Sequence, residues 1–422
     1  VPSKALQWWV AGGVLAATLG AGLYVWAGDD PAAAPEPAPA AQAPGAPLMA
    51  PALGAAATPA AAQERAARRQ VLSENVQLTD HTYCDYREAS KYPVESRPVA
   101  DHPDQIYPNA PITESGPMRT DGGGADSKVR IQSSQSRVFL AAGEGVAFSL
   151  RATDADGKVL PLVVTRALAK GVAKEGARAT PQATLAFADN GAGADAAAGD
   201  GAFAAVLAPA QGALASFNGT IRTEVRYSAG GSNGVIIFDV IHTPELPATW
   251  TGQVREATES GSLHFYLGAQ MRTAGRYIVT GRVDDARGQP FALLTFNDVL
   301  PAGPNEVKLT VFGKLLLDKA PALPLVLRDV DGHLLKENTD PDRALMPRLA
   351  GTVYAAKGKQ MNSLSGAEWD SEERGRYLKE FGKDLVAARA ALAQFDPAQP
   401  LPAVGCAAGA ALVAAQAGAR SN

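Results

Sequence analysis

The chain has 422 residues, 46% of them apolar and only 6% aromatic, with a formal net charge of −4 and an isoelectric point near 5.8. That length predicts two or three domains, with modest, locally packed cores. The acidic balance excludes a nucleic-acid surface, which needs a concentrated basic face against phosphate; the nearest cluster, Arg65, Arg68 and Arg69, reads as the polar face of a short helix.

Ala5 to Ala27 is a run of 23 residues without a charge, and a bilayer span needs about 20. Trp8 and Trp9 stand at one end and Tyr24 and Trp26 at the other, the belt expected where a helix meets the two interfaces. Lys4 precedes the run and Asp29 and Asp30 follow it, which places the remainder of the chain outside. Residues 1–28 are therefore expected to be an uncleaved anchor. The competing reading is a signal segment cut after Ala27, but the apolar run exceeds a usual signal core and the bulky Trp26 disfavours cleavage. Residues 29–62 are dominated by Ala and Pro, with Pro31, Pro35, Pro37, Pro39, Pro44, Pro47, Pro51 and Pro59. Such a segment cannot bury a core and predicts an extended linker.

Residues 63–127 predict a short helix over Ala66–Val76. A polar stretch rich in Pro and Tyr follows, read as an extended arm lying on the first folded domain, because closely spaced prolines forbid long helices and central strands. Residues 128–246 read as a first β-sandwich. Val146, Phe148 and Leu150 alternate with Ala147, Ser149 and Arg151, and Ile221, Thr223, Val225 and Tyr227 alternate with Arg222, Glu224, Arg226 and Ser228. Period two over such lengths means half-buried antiparallel strands. Turn signals recur at Asp156-Gly157, Gly199-Asp200-Gly201 and Gly230 to Gly234.

Residues 247–356 read as a second sandwich, joined to the first near His242-Thr243-Pro244. Tyr277, Val279 and Val283 mark one strand and Val307, Leu309 and Val311 another, with turns predicted at Asp285 to Gly288 and at Asp331-Gly332. Residues 357–397 predict an amphipathic helix. Ser365 and Glu368 have capping-box spacing, and Tyr377, Leu378, Phe381, Leu385, Ala388 and Leu392 recur at helical intervals up to Asp396-Pro397. Its stripe is expected to pack on a sandwich edge, and residues 398–422 form a flexible tail. The fold class is thus mostly β: tandem Ig-like antiparallel β-sandwiches with an N-terminal transmembrane helix and a C-terminal amphipathic helix.

Few residues point to chemistry. Gly230-Gly231-Ser232-Asn233-Gly234 spells G-x-S-x-G, but a nucleophile elbow needs a helix after it, and strand-like residues flank it on both sides. The five histidines, at 81, 102, 242, 264 and 333, show no paired metal-ligand spacing. His81, Cys84 and His102 could gather around a metal, although scattered polar residues on an arm is the preferred reading. Cys84 and Cys406 are too few for a disulfide framework or a zinc site. In an oxidising compartment they could pair, with two unpaired thiols slightly preferred. Asp154 to Gly157 and Asp329 to Gly332 resemble fragments of calcium loops without the downstream Glu, and read as hairpin turns. The stretch from Asp189 to Phe203 is the most suggestive. Asp189, Asp195 and Asp200 are spaced along a glycine-rich loop that could supply oxygens to Ca2+; the alternative is a wide turn whose aspartates cap backbone N–H groups.

That aspartate–glycine loop, the segment GRYIVTGRVDDARGQPFALLTFNDVLPAGPNEVKLTVFGKLLLD with its turn at Phe312-Gly313-Lys314, and the strand from Leu327 to Val330 resemble the exported bacterial proteins called choice-of-anchor X. They also resemble a related, uncharacterised family of exported proteins of about this length. The resemblance covers about 128–356, with Ala194 standing where the pattern has glycine. It implies Ig-like sandwiches outside the cytoplasm and no catalytic residues. The expected function is a non-catalytic binding or scaffolding protein. Residues 5–27 would tether it to a bacterial inner membrane, with a periplasmic body engaging an envelope protein or a glycan. A secreted effector or adhesion protein released by signal cleavage is the first alternative. A hydrolase with a site in the N-terminal arm, between His81 and Asp104, is the second.

Overall fold

The computed structural model describes residues 58–108, 110–173, 180–357 and 363–406. The predicted membrane segment, the linker as far as residue 57 and the tail beyond 406 lie outside the described residues, among which no helix is long and apolar enough to cross a membrane. The chain divides into two units, Val1–Gln63 and Glu64–Asn422, the second of which contains both sandwiches.

The predicted arm is not one element. Its first part is α1 (Pro59–Ala89), a helix of 31 residues that begins inside the predicted linker and runs well past Val76. The residues from His81 to Ala89 contain no proline, so nothing in them stops the helix; Pro93, Pro98, Pro103 and Pro108 come later. Next comes β1 (Ser96–Pro98), followed by two short 3-10 turns over Val99–Asp101 and Pro103–Gln105. The last part is β2 (Ile112–Arg119). The expectation of an arm lying on the first domain is corrected on both counts: β2 is a strand of the first sandwich, and β1 joins a sheet of the second.

The first sandwich runs from β2 through β3 (Ala125–Gln135), β4 (Phe139–Leu140), β5 (Val146–Thr153), β6 (Leu162–Gly171), β7 (Gln182–Thr184), β8 (Ala202–Leu207), β9 (Gly219–Ala229) and β10 (Ser232–His242). One sheet has the order β2-β3-β5-β8 and the other β4-β10-β9-β6-β7. Neighbours are antiparallel except β4, which lies parallel to β10. Pro117 fits because β2 is an edge strand, and the register slips at Pro117/Met118. The predicted alternation holds: Ile221, Thr223, Val225 and Tyr227 are buried, and Arg222 and Arg226 are exposed. Phe148 from one sheet stacks on Phe238 from the other at 4.6 Å between ring centroids.

The second sandwich comprises β11 (Ala248–Glu259), β12 (Ser262–Met271), β13 (Gly275–Asp284), β14 (Pro290–Leu300), β15 (Gly303–Val311), α2 (Gly313–Lys319), β16 (Val326–Leu335), β17 (Arg343–Leu345) and β18 (Leu349–Ala355). A three-stranded sheet, β11-β12-β15, faces a sheet of order β1-β14-β13-β16-β17, with β18 also paired to β16. Phe265, Tyr277, Leu294 and Leu327 are fully buried between them. Two predicted turns are corrected. Asp331-Gly332 lies inside β16, where the register slips near Asp329, whose φ is +49°; the chain bulges there and does not turn back. Phe312-Gly313-Lys314 opens α2, and a side chain at Gly313 would overlap the carbonyl oxygen of Gly261.

The C-terminal helix α3 (Glu372–Phe395) starts later than the Ser365/Glu368 spacing suggests. Its cap is Ser371, whose side chain accepts from the Arg374 N–H at 3.1 Å, while Glu368 is taken up by Arg87 and Arg374. The stripe does not pack on a sandwich edge. Ala388 and Leu392 are buried against Val76 of α1, with Leu72, Leu385, Leu401 and Val404 around them. Tyr86 of α1 meets Tyr377 at 5.6 Å and Phe381 at 5.3 Å. Arg69 near the start of α1 pairs with Asp396 after the end of α3, at 2.8 Å, so the two helices run antiparallel. Arg65 and Arg68 lie over the Phe395 ring, and the basic trio serves as the polar side of this hairpin. Residues 397–406 then double back along α1: the Gly405 N–H donates to Asp80 at 2.9 Å, and Cys406 is disulfide-bonded to Cys84 with Cα atoms 5.0 Å apart. This corrects both the preference for unpaired thiols and the flexible tail as far as residue 406.

Candidate functional site

The loop between β7 and β8 holds the three predicted aspartates. Gly191, Gly193, Gly199 and Gly201 all have positive φ, and at Gly191 a side chain would press on the Ala198 backbone nitrogen. This path wraps the loop around its own carboxylates. Asp195, which is buried, accepts from the N–H groups of Asn190 and Gly191 at 2.5 Å each and of Ala197 at 3.3 Å. Asp189 accepts from Gly199 at 2.6 Å and Gly201 at 2.9 Å, and Asp200 from Ala202 at 2.8 Å. The N–H of Gly191, followed by those of Ala197 and Asn190, holds the Asp195 carboxyl below the usual carboxylate range against the opposing effect of burial. The capping role is therefore realised. One oxygen from each aspartate also lies within 4.8 Å of the others. Oxygens that share one calcium ion at 2.3–2.6 Å sit no more than about 5 Å apart, so the triad has the spacing for a single ion.

The other sequence candidates do not converge. Ser232 is the first residue of β10, directly after the two-residue Gly230-Gly231 hairpin loop, and a strand follows it, so no nucleophile elbow forms. His81 is exposed on α1 beside Asp85 at 3.1 Å. Cys84 is committed to Cys406, so a His81–Cys84–His102 metal set lacks its thiolate. His102 and Asp104 lie in the 3-10 segment that follows β1. His242 and His264 are buried and bound to Phe217 O at 2.7 Å and Thr310 Oγ1 at 2.9 Å, and burial lowers both pKa values. The aspartates of Asp154 to Gly157 make a hairpin turn as expected, with Asp154 accepting from Asp156 and Lys158 N–H.

Two features escaped the sequence reading. One is a buried charge network on the outer side of β13 and β16. Arg282 bonds Asp284 at 2.8 Å and Asp329 at 3.3 Å, and it donates to the Ile106 carbonyl. Arg328 approaches Asp284 at 3.5 Å. The network pins residues 106–107, with the Tyr107 ring 5.7 Å from the Arg282 guanidinium. Its only sequence signal was the polar run Arg282-Val283-Asp284-Asp285 where a strand should fade. The other is a cleft of 840 Å³ bounded by the last turn of α1, β1, the end of α2 and the start of α3. Tyr92 donates to Asp318 at 2.9 Å there, and burial together with that bond pushes its phenol up to about 12. Lys91 is paired with Glu88, and Arg374 bonds Ser90 at 3.0 Å and Glu368 at 2.5 Å. Arg97, His102 and Lys319 line the same cleft.

No protein-family profile matches the chain, and no curated protein does. Among solved structures it is similar to a DUF4785 family protein from Legionella pneumophila, at 12% identity over 53% of this chain and 57% of that one, with a TM-score of 0.36. It is also similar to the adhesin InvE of Yersinia pseudotuberculosis, at 10% identity over 52% and 58%, with a TM-score of 0.16. A third likeness is to the alpha-2-macroglobulin of Escherichia coli, at 16% identity over 57% and 15%, with a TM-score of 0.25. The chain thus spans little more than half the length of the first two. Likenesses this distant say nothing about activity.

Proposed function

We propose that this is an exported, membrane-tethered protein of the bacterial envelope that binds or scaffolds and performs no chemistry. The observation that carries the reading is the Cys84–Cys406 pair, because disulfides form and persist in oxidising compartments. Residues 5–27 supply the inner-membrane anchor and the Ala/Pro-rich segment after them the tether, which puts the body in the periplasm. The residue types that could act chemically hold structure instead: Ser232 starts a strand, Cys84 is in a disulfide, and His242 and His264 are buried hydrogen-bond partners. Binding to another envelope protein or a glycan would use the loops, the open sheet edges or the cleft beside α1 and β1. Kinship with the choice-of-anchor family belongs to the same proposal.

Protease added to spheroplasts tests it. The body is digested if the reading holds, and a chain protected until the membrane is lysed overturns it. Sequencing the mature N-terminus in the same preparation separates a tether from a released adhesion protein, since a start at Gly28 removes the anchor. A calcium ion at Asp189, Asp195 and Asp200 is the finer part of the proposal. It predicts a lower melting temperature in excess chelator, and an unchanged one removes the ion.

A further inference from the structure

We infer that the α1–α3 hairpin is a thiol-gated element: reduction of the Cys84–Cys406 bond opens it while both sandwiches stay folded. The hairpin has little core of its own. Along helices of 31 and 24 residues the buried apolar cluster consists of Val76, Ala388 and Leu392. Val71 and Leu78 of α1 point away from it, each 63% exposed. A helix in water without an apolar face to bury is marginal, so other ties must hold α1 in place.

Among the described residues those ties include two ion-pair clusters and the contact of Tyr86 with Tyr377 and Phe381 at one end. Arg87 and Arg374 share Glu368, and Arg65 and Arg69 share Asp396. Asp396 and Arg374 are themselves buried, but Arg65, Arg87 and Glu368 reach solvent, and pairs open to water on one side are weak individually. The remaining half-buried members of the cluster include Leu401 and Val404, which come from the returning segment. That segment is fixed at its far end by the Gly405–Asp80 hydrogen bond and by the disulfide. One covalent bond thus decides whether the third side of a very small cluster stays in place. Elements of this kind open as local units well below the free energy of global unfolding.

The bond is also reachable. Cys406 is exposed and Cys84 half-buried. A dithiol attacks the Cys406 sulfur as a thiolate, the bond between the two protein sulfurs breaks, and Cys84 leaves and takes a proton. The second thiol of the reductant then displaces Cys406. Two electrons and two protons pass to the protein, and the dithiol leaves as its own disulfide. Opening has a consequence for binding, because the last turn of α1 and the start of α3 form one wall of the 840 Å³ cleft. The gate would therefore tie the state of that cleft to the thiol balance around it, whether or not the cleft is the binding surface proposed above.

Hydrogen exchange with mass analysis on the full chain, with and without dithiothreitol, tests the gate. Protection over 66–89 and 375–395 is expected to fall at least tenfold on reduction, with protection in β9, β10, β13 and β14 kept within twofold. The paired Cys84→Ser and Cys406→Ser variant is expected to match the reduced protein without reductant. Unchanged hairpin protection, with both thiols shown free by alkylation, overturns the proposal. Loss of protection in the sandwiches together with the hairpin also overturns it, because the bond would then hold up the whole fold and not a gate. Since the native protein is reduced directly, the test stands even if the variant fails to fold.

Discussion

The second sandwich and the helical hairpin solve the same problem with different means. Between the two sheets of the sandwich, every second residue along most of β12, β13 and β15 turns inward, as it does in β16 beyond the bulge at Asp329, and Phe265, Tyr277, Leu294, Leu327 and their neighbours are sealed from water. The hairpin has longer elements but seals Val76, Ala388 and Leu392, with Tyr86, Tyr377 and Phe381 clustered at one end. The difference follows from what each element offers. A strand buries an entire face, whereas α1 carries charged and small residues around most of its circumference. Apolar packing therefore accounts for the sandwich, and the hairpin depends on ion pairs, an aromatic contact at one end, a cap and one covalent bond.

The comparison can be broken at several points. The largest effect is expected from Phe265→Ala, which empties a closed site in the second sandwich and should cost about 3–5 kcal/mol in denaturant unfolding. A loss under about 1 kcal/mol would mean that this core is looser than its burial indicates. Next comes the paired Cys84→Ser and Cys406→Ser change, expected to remove about 2–4 kcal/mol as a separate early transition followed by circular dichroism of the helices. A single transition at the old midpoint would show that the hairpin has other support.

A third prediction concerns pH at the junction of the sandwiches, where Arg343 of β17 lies over the Phe139 ring of β4 at 4.7 Å. Burial, aided by the Arg343 charge and opposed by Asp342, holds the His333 imidazole down to about 4, against an ordinary value of 6.5. The unfolded chain then binds the proton more tightly than the folded one. The stability is complete above pH 6.5 and is lost as pH falls from there towards 4, by roughly 3 kcal/mol. Asp331, raised by burial at the same junction, works in the opposite sense, so the measurement is the difference from His333→Gln. A parallel pH dependence in the two proteins would contradict the account. The smallest effect is expected from Ser371→Ala, about 1 kcal/mol through loss of the α3 cap. The same change at Ser365 should leave the helix start in place.

Much of the sandwich architecture was legible, and the reason is local. Alternation in 221–228 and at Val307, Leu309 and Val311 directly reports which face is buried, and the Gly230-Gly231 loop follows from two residues with positive φ. The hairpin was illegible because its signals are either mimicked or remote. Ser365/Glu368 matches a cap pattern, but Glu368 is drawn to Arg87, 281 residues away in the chain. The cysteines are 322 residues apart, and nothing between them indicates that the chain returns. Pro117 hid β2, since an edge strand tolerates a proline that a central one rejects. In the candidate site, spacing alone picked out the aspartate loop, with calcium binding and capping as alternatives, and the structure adds the capping bonds. The Arg282 network could not, because it joins residues from β13, β16 and the segment after β1.

The central claim is that the body lives where cysteines are oxidised and that Cys84 and Cys406 are joined there. Alkylation of intact cells with a membrane-permeant maleimide, followed by denaturation, reduction and a second, mass-shifting alkylation, reads this directly. The account predicts that both cysteines take only the second label. Both cysteines taking the first label in untreated cells would contradict it.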